Sequence, residues 1–239
     1  MTILLIDGDI VAYQSASATE VAVAWDDDLW TVHGYATETN AHADQTISRL
    51  MEKADCSQCI VLLSGRNNFR KDIDPEYKAN RVGKRKPVTL SAVRKHLQSS
   101  YKSMVGDPVE ADDLLGILLT KNPEKYVLWS IDKDLRQIAG RHLIDDGVVT
   151  ITQEQADRAF WIQVLTGDAA DNYKGISGVG PKTAEKILDA DDGKSSWEKV
   201  KAAYEKAGMT EDDAIKTARL AHILTNQTKN ELWSPPSET

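Results

Sequence analysis

Residues 167–188 read GDAADNYKGISGVGPKTAEKIL, and this pattern dominates the interpretation of the chain. Its glycine-rich part, residues 175–180, requires unusual backbone dihedral angles, and Pro181 suits the first turn of a following helix. The pattern predicts a helix-hairpin-helix, in which backbone N–H groups at the start of the second helix can hold a phosphate. We expect this loop to bind a nucleic-acid backbone whatever its sequence, through Gly178, Gly180, Lys182 and Thr183.

Two carboxylates, Asp168 and Asp171, precede this loop. Acids repel phosphate unless a metal ion lies between them, so a phosphate-binding loop beside two acids suggests a metal-dependent reaction on nucleic acid. The alternative is a Gly/Pro loop between two ordinary helices, and this region alone leaves that alternative open.

The composition predicts an acidic body with one basic strip. The chain has 239 residues, enough for one large domain or two modest ones, and a net charge of -8. Residues 66–87, called the basic segment below, contain eight basic and three acidic residues, so the rest of the chain carries -13. A charge run is usually a solvated face, but an aromatic ring among cations favours nucleic-acid binding. We expect DNA contacts from Arg70, Lys71, Tyr77, Lys84, Arg85 and Lys86.

The cysteines and the N-terminus indicate the compartment. Cys56 and Cys59 form a single C-x-x-C pair, which cannot complete a four-ligand zinc site. We interpret them as reduced thiols, which fits an intracellular protein. The apolar N-terminus contains Asp7 and Asp9 and is therefore no signal peptide, and no run of about 18 apolar residues predicts a membrane span.

Continuous apolar runs predict buried strands at Thr2–Ile6, Ile60–Leu63 and Tyr126–Ile131. Alternation predicts a hairpin within Trp25–Tyr35, and helical spacing predicts an amphipathic helix from Leu90 to Met104. Short strands are expected at 142–144 and 148–151, capped helices after Thr152 and Thr210, and a loose tail from Trp233.

Acids follow these strands or open helices in four groups: Asp7 with Asp9, Glu110 with Asp112 and Asp113, Asp132 with Asp134, and Asp168 with Asp171. The helix dipole explains one acid at a helix start, but three within four residues repel one another, and a cation would relieve that repulsion. Oxygen-only clusters suit Mg²⁺ or Mn²⁺. Two such ions can activate a water and stabilise the leaving oxygen, so the residues predict two-metal phosphodiester hydrolysis.

The chain also resembles the 5′-nuclease superfamily, which includes flap endonucleases and the 5′-nuclease domain of bacterial DNA polymerase I. The similar pieces occur in family order and read LLIDGD, DPEYKANR, VEADDLLG, SIDKDL and GDAADNYKGISGVGPKTAEKIL. The 5′-to-3′ exonucleases of short-tailed bacteriophages look most similar, through the paired DGD, the YKANR segment and the late KAGMTEDD. The resemblance extends to about residue 224.

This resemblance implies an α/β fold with a PIN-like 5′-nuclease core, a mainly parallel central sheet and a C-terminal helical region that carries the helix-hairpin-helix. We expect the nuclease core at residues 1–166, with the basic segment as an arch over the site. The DNA-binding helical region is expected at residues 167–239.

The resemblance also implies roles for single residues. It implies metal ligands at Asp7, Glu110, Asp112, Asp113, Asp132, Asp134, Asp168 and Asp171. Glu110, Asp112 and Asp132 resemble the inner metal group, and Asp134, Asp168 and Asp171 the second, often more weakly held group. In the family, the residues like Lys78 and Arg81 contact the scissile phosphate, and the residue like Tyr77 stacks on the terminal base. Catalytic roles are therefore expected for Asp7, Asp132, Lys78 and Arg81, and K⁺ can bind hairpin carbonyls at 176–179.

The chain departs from the family pattern after its second apolar strand. The family usually has an Asp there, whereas residues 62–66 read LLSGR and contain no acid. We expect Asp9 to compensate as a metal ligand from the neighbouring strand end.

These observations predict a Mg²⁺- or Mn²⁺-dependent 5′-to-3′ exonuclease of duplex DNA that also cleaves RNA in RNA:DNA hybrids. We expect a monomer without membrane contact, acting in replication or recombination in the cytoplasm of a phage-infected bacterium. The main alternative is a structure-specific flap endonuclease on the same site. A non-catalytic nucleic-acid-binding protein and a PIN-type ribonuclease toxin are weaker alternatives, because the acidic clusters are retained and such toxins normally lack the hairpin.

Overall fold

The computed structural model describes residues 2–229 and 231–236. The strands are β1 (Ile3–Asp7), β2 (Val21–Asp26), β3 (Leu29–His33), β4 (Gln58–Ser64), β5 (Ser103–Gly106), β6 (Tyr126–Trp129), β7 (Gly140–Ile144), β8 (Gly147–Ile151), β9 (Gly167–Asp168) and β10 (Tyr173–Lys174). The helices are α1 (Gly8–Ala18), α2 (Ala36–Lys53), α3 (Arg70–Ile73), α4 (Leu90–Ser100), α5 (Ala111–Lys121), α6 (Gln153–Thr166), α7 (Pro181–Leu188), α8 (Ser196–Lys206) and α9 (Glu211–Ala221). Short 3₁₀ helices occupy Ala79–Arg81 and Lys133–Gln137.

A six-stranded sheet in the order β5-β4-β1-β6-β7-β8 forms the centre of the molecule. Neighbouring strands are parallel, except that β7 and β8 pair antiparallel at one edge. Leu4, Leu5 and Ile6 of β1 are fully buried, as expected for a central strand covered by helices on both faces. The predicted α/β fold with a mainly parallel sheet is confirmed.

Helices on both faces of the sheet bury two hydrophobic cores. One core joins α1, α2 and α4 to the sheet and includes Val11, Ile47 and Val93. The core on the other face depends on α5, through Leu115 and Leu119. Because the parallel strands run in one direction, the carboxyl ends of β1, β4 and β6 meet at one edge, which is where ligands bind in open α/β sheets.

The helices α6 to α9 bury a third hydrophobic cluster, which includes Phe160, Val164 and Tyr204. The Tyr204 hydroxyl donates to the Val164 carbonyl at 2.7 Å, which ties α8 to α6. The domain boundary predicted after residue 166 therefore falls inside a packed cluster, because α6 packs against the helices that follow it.

Several local predictions are confirmed. The hairpin consists of β2 and β3, paired antiparallel, and it exposes Trp25 and Trp30 to solvent. Thr152 and Thr210 each cap a helix with a reciprocal capping box. Within the described residues, no helix combines the length and the apolarity needed to cross a membrane.

Two local predictions are wrong. The helix predicted to reach Met104 ends at Ser100, and Met104 lies in β5, where backbone pairing with β4 replaces the helical spacing. The end of the chain is not a loose tail at Trp233, because this ring contacts Phe160, Trp161 and Trp197. Of the predicted tail, Ser237 lies outside the described residues.

Gly116 of α5 tests how the C-terminal segment packs on the core. A Cβ atom at this position would lie 2.4 Å from the Leu224 carbonyl oxygen. Helix propensity alone favours alanine by about 1 kcal/mol, but overpacking costs about 1–3 kcal/mol. We expect Gly116→Ala to lower the free energy of unfolding, measured by urea denaturation.

Gly147→Ala is the control, because a Cβ atom there meets no heavy atom within 4 Å. We expect its free energy of unfolding to stay within about 0.5 kcal/mol of wild type. A stabilised Gly116→Ala protein would show that the contact with Leu224 is not formed in solution.

Candidate active site

Asp7 lies where β1 ends and α1 begins. Its Oδ1 accepts hydrogen bonds from the N–H groups of Asp9 and Ile10 at 3.1 Å, and its Oδ2 accepts one from the Ser130 hydroxyl at 2.8 Å. Burial raises the pKa of this carboxyl to about 6. Ser130 follows β6, so this bond joins two neighbouring strand ends. Ser130 was not among the predicted site residues, although it begins the SIDKDL piece.

The start of α5 presents its acids in different directions. Glu110 is the N-cap, and Asp112 and Asp113 occupy the first turn. Because successive residues of a helix point about 100° apart, the two aspartates have different surroundings. Asp112 lines the cleft at the strand ends, and no described residue donates a hydrogen bond to it. Burial and the charges of Asp7 and Glu110 raise the pKa of Asp112 well above its usual value.

Asp113 faces away from the cleft and binds Arg70. Its two oxygens accept bonds from the two Arg70 Nη atoms at 2.8 Å, and from the N–H groups of Glu110 and Leu224 at 3.0 and 3.1 Å. Burial acts to raise the pKa of Asp113, but the Arg70 guanidinium holds it below its usual value. The structure thus corrects the expected metal ligand at Asp113, because protein donors occupy its oxygens and the residue is fully buried.

Arg70 is also buried, with 2% of its surface exposed. Besides Asp113, its guanidinium binds the carbonyl oxygens of Leu220 at 2.9 Å and His222 at 2.7 Å. It therefore joins the basic segment, α5 and the end of α9. The predicted DNA contact of Arg70 is wrong for this arrangement, because the side chain is enclosed and its donors are used.

A second acidic group lies beside the first. Asp134 accepts a hydrogen bond from Gln163 at 2.7 Å, and burial with the charges of Asp132 and Asp168 raises its pKa to about 7. Burial, and then the charge of Asp171, also raise the pKa of Asp168. The charge of Asp132 acts on Asp168 and also on Asp7 and Asp112 of the first group. Asp132 is therefore close enough to influence both groups.

Lys78 and Arg81 of the basic segment reach these acids. The Lys78 Nζ binds Glu110 Oε1 and lies 3.3 Å from Asp171 Oδ2, and Arg81 Nη2 binds Asp171 Oδ1. Burial acts to lower the pKa of Lys78, but the charges of Glu110 and Asp171 raise it above its usual value. The two cations that the resemblance assigns to the scissile phosphate thus lie directly against the acids.

Tyr77 has a different place from the one expected. It is 3% exposed, and its ring stacks on Tyr173 with centroids 6.2 Å apart. Its hydroxyl oxygen lies 2.9 Å from Glu110 and 2.7 Å from Asp171, so the two acids share its single donor hydrogen. The expected stacking on a terminal base is wrong for this arrangement, because the ring is buried. The hydroxyl instead orients two acids of the site.

The turn that carries Asp168 and Asp171 is fastened to the basic segment. Asn80 Nδ2 donates to the carbonyl oxygens of Ala169 and Ala170, and the Lys78 N–H donates to the Asp171 carbonyl at 2.8 Å. Asn80 was not singled out from the sequence, although it lies within the YKANR piece. The contacts explain how residues about 90 positions apart form one site.

Asp9, which we expected to compensate for the missing acid, lies at the end of β4. Its Oδ2 accepts a hydrogen bond from the Ser64 N–H at 2.9 Å, so its carboxylate lies beside this strand end. Its other oxygen pairs with Arg94 of α4, whose Nη2 donates to the Ser64 carbonyl at 2.6 Å. Asp9 therefore lies where expected, but a cation that the sequence interpretation missed compensates its charge.

One open cleft of about 790 Å³ lies at these strand ends, and the acids that border it are Asp7, Asp9, Glu110, Asp112, Asp132 and Asp171. Acids line it at the strand ends, and Arg94 joins cations of the basic segment around it: Arg66, Lys71, Lys78, Arg81, Lys84, Arg85 and Lys86. Arg85 forms a two-pronged ion pair with Glu20 at 2.8 and 2.9 Å, which fastens the segment to the end of α1. Of the predicted DNA contacts in the segment, Lys71, Lys84, Arg85 and Lys86 are exposed.

The glycine-rich loop leads into α7. Gly180 is the N-cap, and no side chain caps the helix. Gly178 has a φ of +79°, a conformation that favours glycine. Lys182 and Thr183 are exposed in the first turn, so they are accessible to a ligand from solution.

The acids suit a hard divalent cation by their chemistry. Among the residues that the structure describes, no three Asp, Glu, His or Cys side chains are close enough to hold a metal ion. However, the acids offer carboxylate oxygens, which such cations prefer, and burial together with like charges raises the pKa values of Asp112 and Asp134. The Lys78 ammonium between Glu110 and Asp171 marks a position where positive charge is favourable.

Comparison with known proteins then defines the family. The model of the 5′-3′ exonuclease N-terminal resolvase-like domain matches residues 2–163, more than half of the chain. The chain belongs to this 5′-3′ exonuclease family. It is therefore a member of a nuclease family, whose enzymes are hydrolases of phosphodiester bonds, and the predicted family and enzyme class are confirmed.

Phage proteins are among the similar members of the 5′-3′ exonuclease family. The exonuclease of Escherichia phage T7 is 28% identical over 265 residues, which cover 93% of this chain and 88% of that protein. The exodeoxyribonuclease of Enterobacteria phage T3 is 27% identical over 284 residues, which cover 98% and 93%.

The flap endonuclease of bacteriophage T5, crystallised with DNA and metal ions, is similar with a TM-score of 0.63. The match has 14% identity and covers 92% of this chain and 89% of that one. At such low identity the structural likeness shows that this chain has the same fold as the T5 protein, and it does not show the chemistry of this chain.

The buried pair Arg70–Asp113 yields a stability prediction. Arg70→Met leaves the buried Asp113 charge without its partner, so we expect the free energy of unfolding to fall by about 3–5 kcal/mol in urea denaturation. The matched control is Arg158→Met, which removes an exposed two-pronged pair with Asp189 at 2.7 and 2.9 Å. That change should lower the free energy of unfolding by no more than about 1 kcal/mol. Equal losses in the two variants would contradict the burial of Arg70.

Proposed function

We propose that the protein is a divalent-metal-dependent 5′-to-3′ exonuclease that hydrolyses double-stranded DNA. The observation that carries this proposal is the cleft, which combines acids at adjacent strand ends with cations of the basic segment. Acids alone would repel DNA, and cations alone would bind it without chemistry. The T7 and T3 relatives are named an exonuclease and an exodeoxyribonuclease, which supports exonuclease activity on DNA. The description of the matching family model supports the 5′-to-3′ polarity.

We propose two metal positions with different ligands. Asp7, Glu110, Asp112 and Asp132 would hold the first ion, and Asp134, Asp168 and Asp171 the second. Bound metal would supply Lewis-acid chemistry at the scissile phosphate and lower the pKa of a water. The T5 structures, which were crystallised with metal ions, support metal dependence, and the assignment of ligands rests on the positions of the acids. Asp113 is left out because it is fully buried and does not line the cleft. Asp9 is left out because its oxygens bind Arg94 and the Ser64 N–H, which would stay in place, whereas Lys78 and Arg81 would pass from their acids to a bound phosphate.

The chain's own residues prepare the site for a phosphate. Lys78 compensates the negative charge of Glu110, and Arg81 that of Asp171. A bound phosphate would offer the two cations negative charge in the same way as these carboxylates do. The Tyr77 hydroxyl lies within hydrogen-bond distance of both acids, which share its single donor hydrogen, and this contact keeps them oriented. The three side chains therefore position acids and substrate together.

Finer parts of the proposal concern ligands and setting. We propose Mg²⁺ or Mn²⁺ as the metal, K⁺ at the carbonyls of residues 176–179, and activity on RNA in RNA:DNA hybrids. We also propose a monomer that acts in phage DNA replication or recombination in the cytoplasm of an infected bacterium. The phage relatives support this setting.

A structure-specific flap endonuclease is the second candidate. It is supported by the bridging of the basic segment to the turn at 168–172, which makes a frame around the acids. It is also supported by the fold of the T5 flap endonuclease. The two candidates share the site and differ in their products.

Digestion of blunt duplex DNA, labelled separately at the 5′ and 3′ ends, tests the proposal. With Mg²⁺, we expect early release of mononucleotides from the labelled 5′ end, and with EDTA no release. Short 5′-labelled oligonucleotides would favour the flap endonuclease. Bound but intact DNA with Mg²⁺ would contradict both candidates.

In the same assay, Asp132→Asn should reduce cleavage on the order of 100-fold or more. Asparagine keeps the oxygen that accepts the Asp134 N–H at 2.9 Å, so the local turn is preserved. DNA binding should be unchanged or tighter, because one charge that repels phosphate is lost. Asp28→Asn, in the turn between β2 and β3, is the control and should cleave like wild type. If Asp132→Asn cleaves DNA at the wild-type rate, Asp132 has no role in the reaction.

Lys182→Ala should weaken binding to all DNA sequences alike, because the loop would hold backbone phosphate. We expect the slope of log affinity against log salt to fall by about 1, measured by fluorescence anisotropy at several salt concentrations. Lys186→Ala is the control, because Lys186 is also exposed on α7 but lies a turn beyond the helix start. A loss confined to some sequences, or an equal loss in Lys186→Ala, would contradict the role of the loop.

A further inference from the structure

Arg94 is a cation of the cleft that neither the sequence motifs nor the predicted metal groups include. It lies on α4, outside the basic segment, and its side chain is 27% exposed. Its guanidinium reaches the end of β4, where Nη1 pairs with Asp9 and Nη2 donates to the Ser64 carbonyl. Three separate elements, α1, α4 and β4, therefore fix the position of one charged group.

The contacts of Arg94 with Asp9 and Ser64 do not use all N–H groups of its guanidinium. A guanidinium carries five N–H groups in a planar fork, which matches the oxygens of a phosphate. Within the described chain, the ion pair with Asp9 and the bond to Ser64 are the polar contacts that Arg94 makes. The remaining N–H groups are on a side chain that borders the cleft.

The sheet order places Arg94 at one end of the row of acids. β4 lies beside β1, and β1 lies beside β6, so the row runs from the β4 end past Asp7 to Asp132. Asp134 follows β6, at the other end of this row, and is close enough to Asp168 of β9 for the charge of Asp168 to raise its pKa. Lys78 and Arg81 lie at Glu110 and Asp171, so Arg94 gives positive charge to a separate part of the cleft.

We propose that Arg94 binds a phosphate of the DNA backbone next to the phosphate that is cleaved. Asp9 is then a positioning residue, which holds the guanidinium fork at the end of β4 and does not serve as a metal ligand. The chain thus carries an arginine subsite at the end of β4. The inference rests on the proposed nuclease function, because the ligand is the same DNA.

The alternative role for Arg94 is structural, as a clamp that compensates Asp9 and ties α4 to β4. The two roles differ when Asp9 is neutral. Asp9→Asn keeps an oxygen that can accept the Ser64 N–H, and it removes the charge that a clamp would compensate. If Arg94 binds phosphate, DNA binding still needs it in the Asp9→Asn background. If Arg94 only compensates the charge of Asp9, it is no longer needed there.

The test measures binding of a fluorescent duplex oligonucleotide by anisotropy in EDTA, where metal-dependent cleavage does not proceed. We expect Arg94→Gln to raise Kd on the order of tenfold and to lower the salt slope by about 1. Lys95→Gln is the matched control, since Lys95 is the adjacent, exposed residue of α4 and loses the same charge. Its Kd should change by less than about twofold.

The double variant Asp9→Asn/Arg94→Gln keeps the test valid if Arg94→Gln alone fails to fold, because it leaves no unpaired charge. We expect it to bind DNA on the order of tenfold more weakly than Asp9→Asn. Equal binding by these two proteins, or an equal loss in Lys95→Gln, would overturn the phosphate subsite. Wild-type protein that binds no DNA and cleaves none with Mg²⁺ would instead overturn the proposed function, and the subsite with it.

Discussion

The buried ion pair between Arg70 and Asp113 is the interaction on which the arrangement of the site depends. Asp113 lies in the first turn of α5, and Arg70 begins the short helix of the basic segment. The same guanidinium binds the carbonyl oxygens of Leu220, a member of the third hydrophobic cluster, and of His222. A buried charge without its partner is strongly unfavourable, so these three parts of the chain must fold together. Glu110 and Asp112, at the start of α5, and the other cations of the basic segment consequently face one cleft.

Charge compensation explains how so many acids can lie at one sheet edge. Burial and, after it, like charges raise the pKa values of Asp112 and Asp134. Lys78, Arg81 and Arg94 offset part of the excess negative charge. These cations are held by carboxylates and carbonyl groups, which fixes their positions before any ligand arrives. Such preorganisation means that a phosphate entering the cleft needs little rearrangement of side chains.

Much of the fold could be predicted because its strands are short, continuous apolar runs. β1, β4 and β6 were all found in this way, together with the acids that follow β1 and β6. β5 was missed because it is a four-residue edge strand with two exposed apolar residues, which carries no clear period. Arg94 was missed for a related reason, since a cation on an amphipathic helix is normally a solvated residue, and its contacts with Asp9 and Ser64 are long-range.

The sequence by itself determined the identity and order of the acids, their places at strand ends and helix starts, and the glycine-rich loop before α7. These features depend on local spacing, which sequence patterns report. Only the tertiary structure decided which acids face the cleft. Asp112 and Asp113 are adjacent, and both are acids of one helix turn, yet one lines the cleft and the other is sealed against Arg70. Tyr77 likewise points inward to Glu110 and not outward to a base. The choice depends on partners 33 to 43 residues away, so no local pattern could contain it.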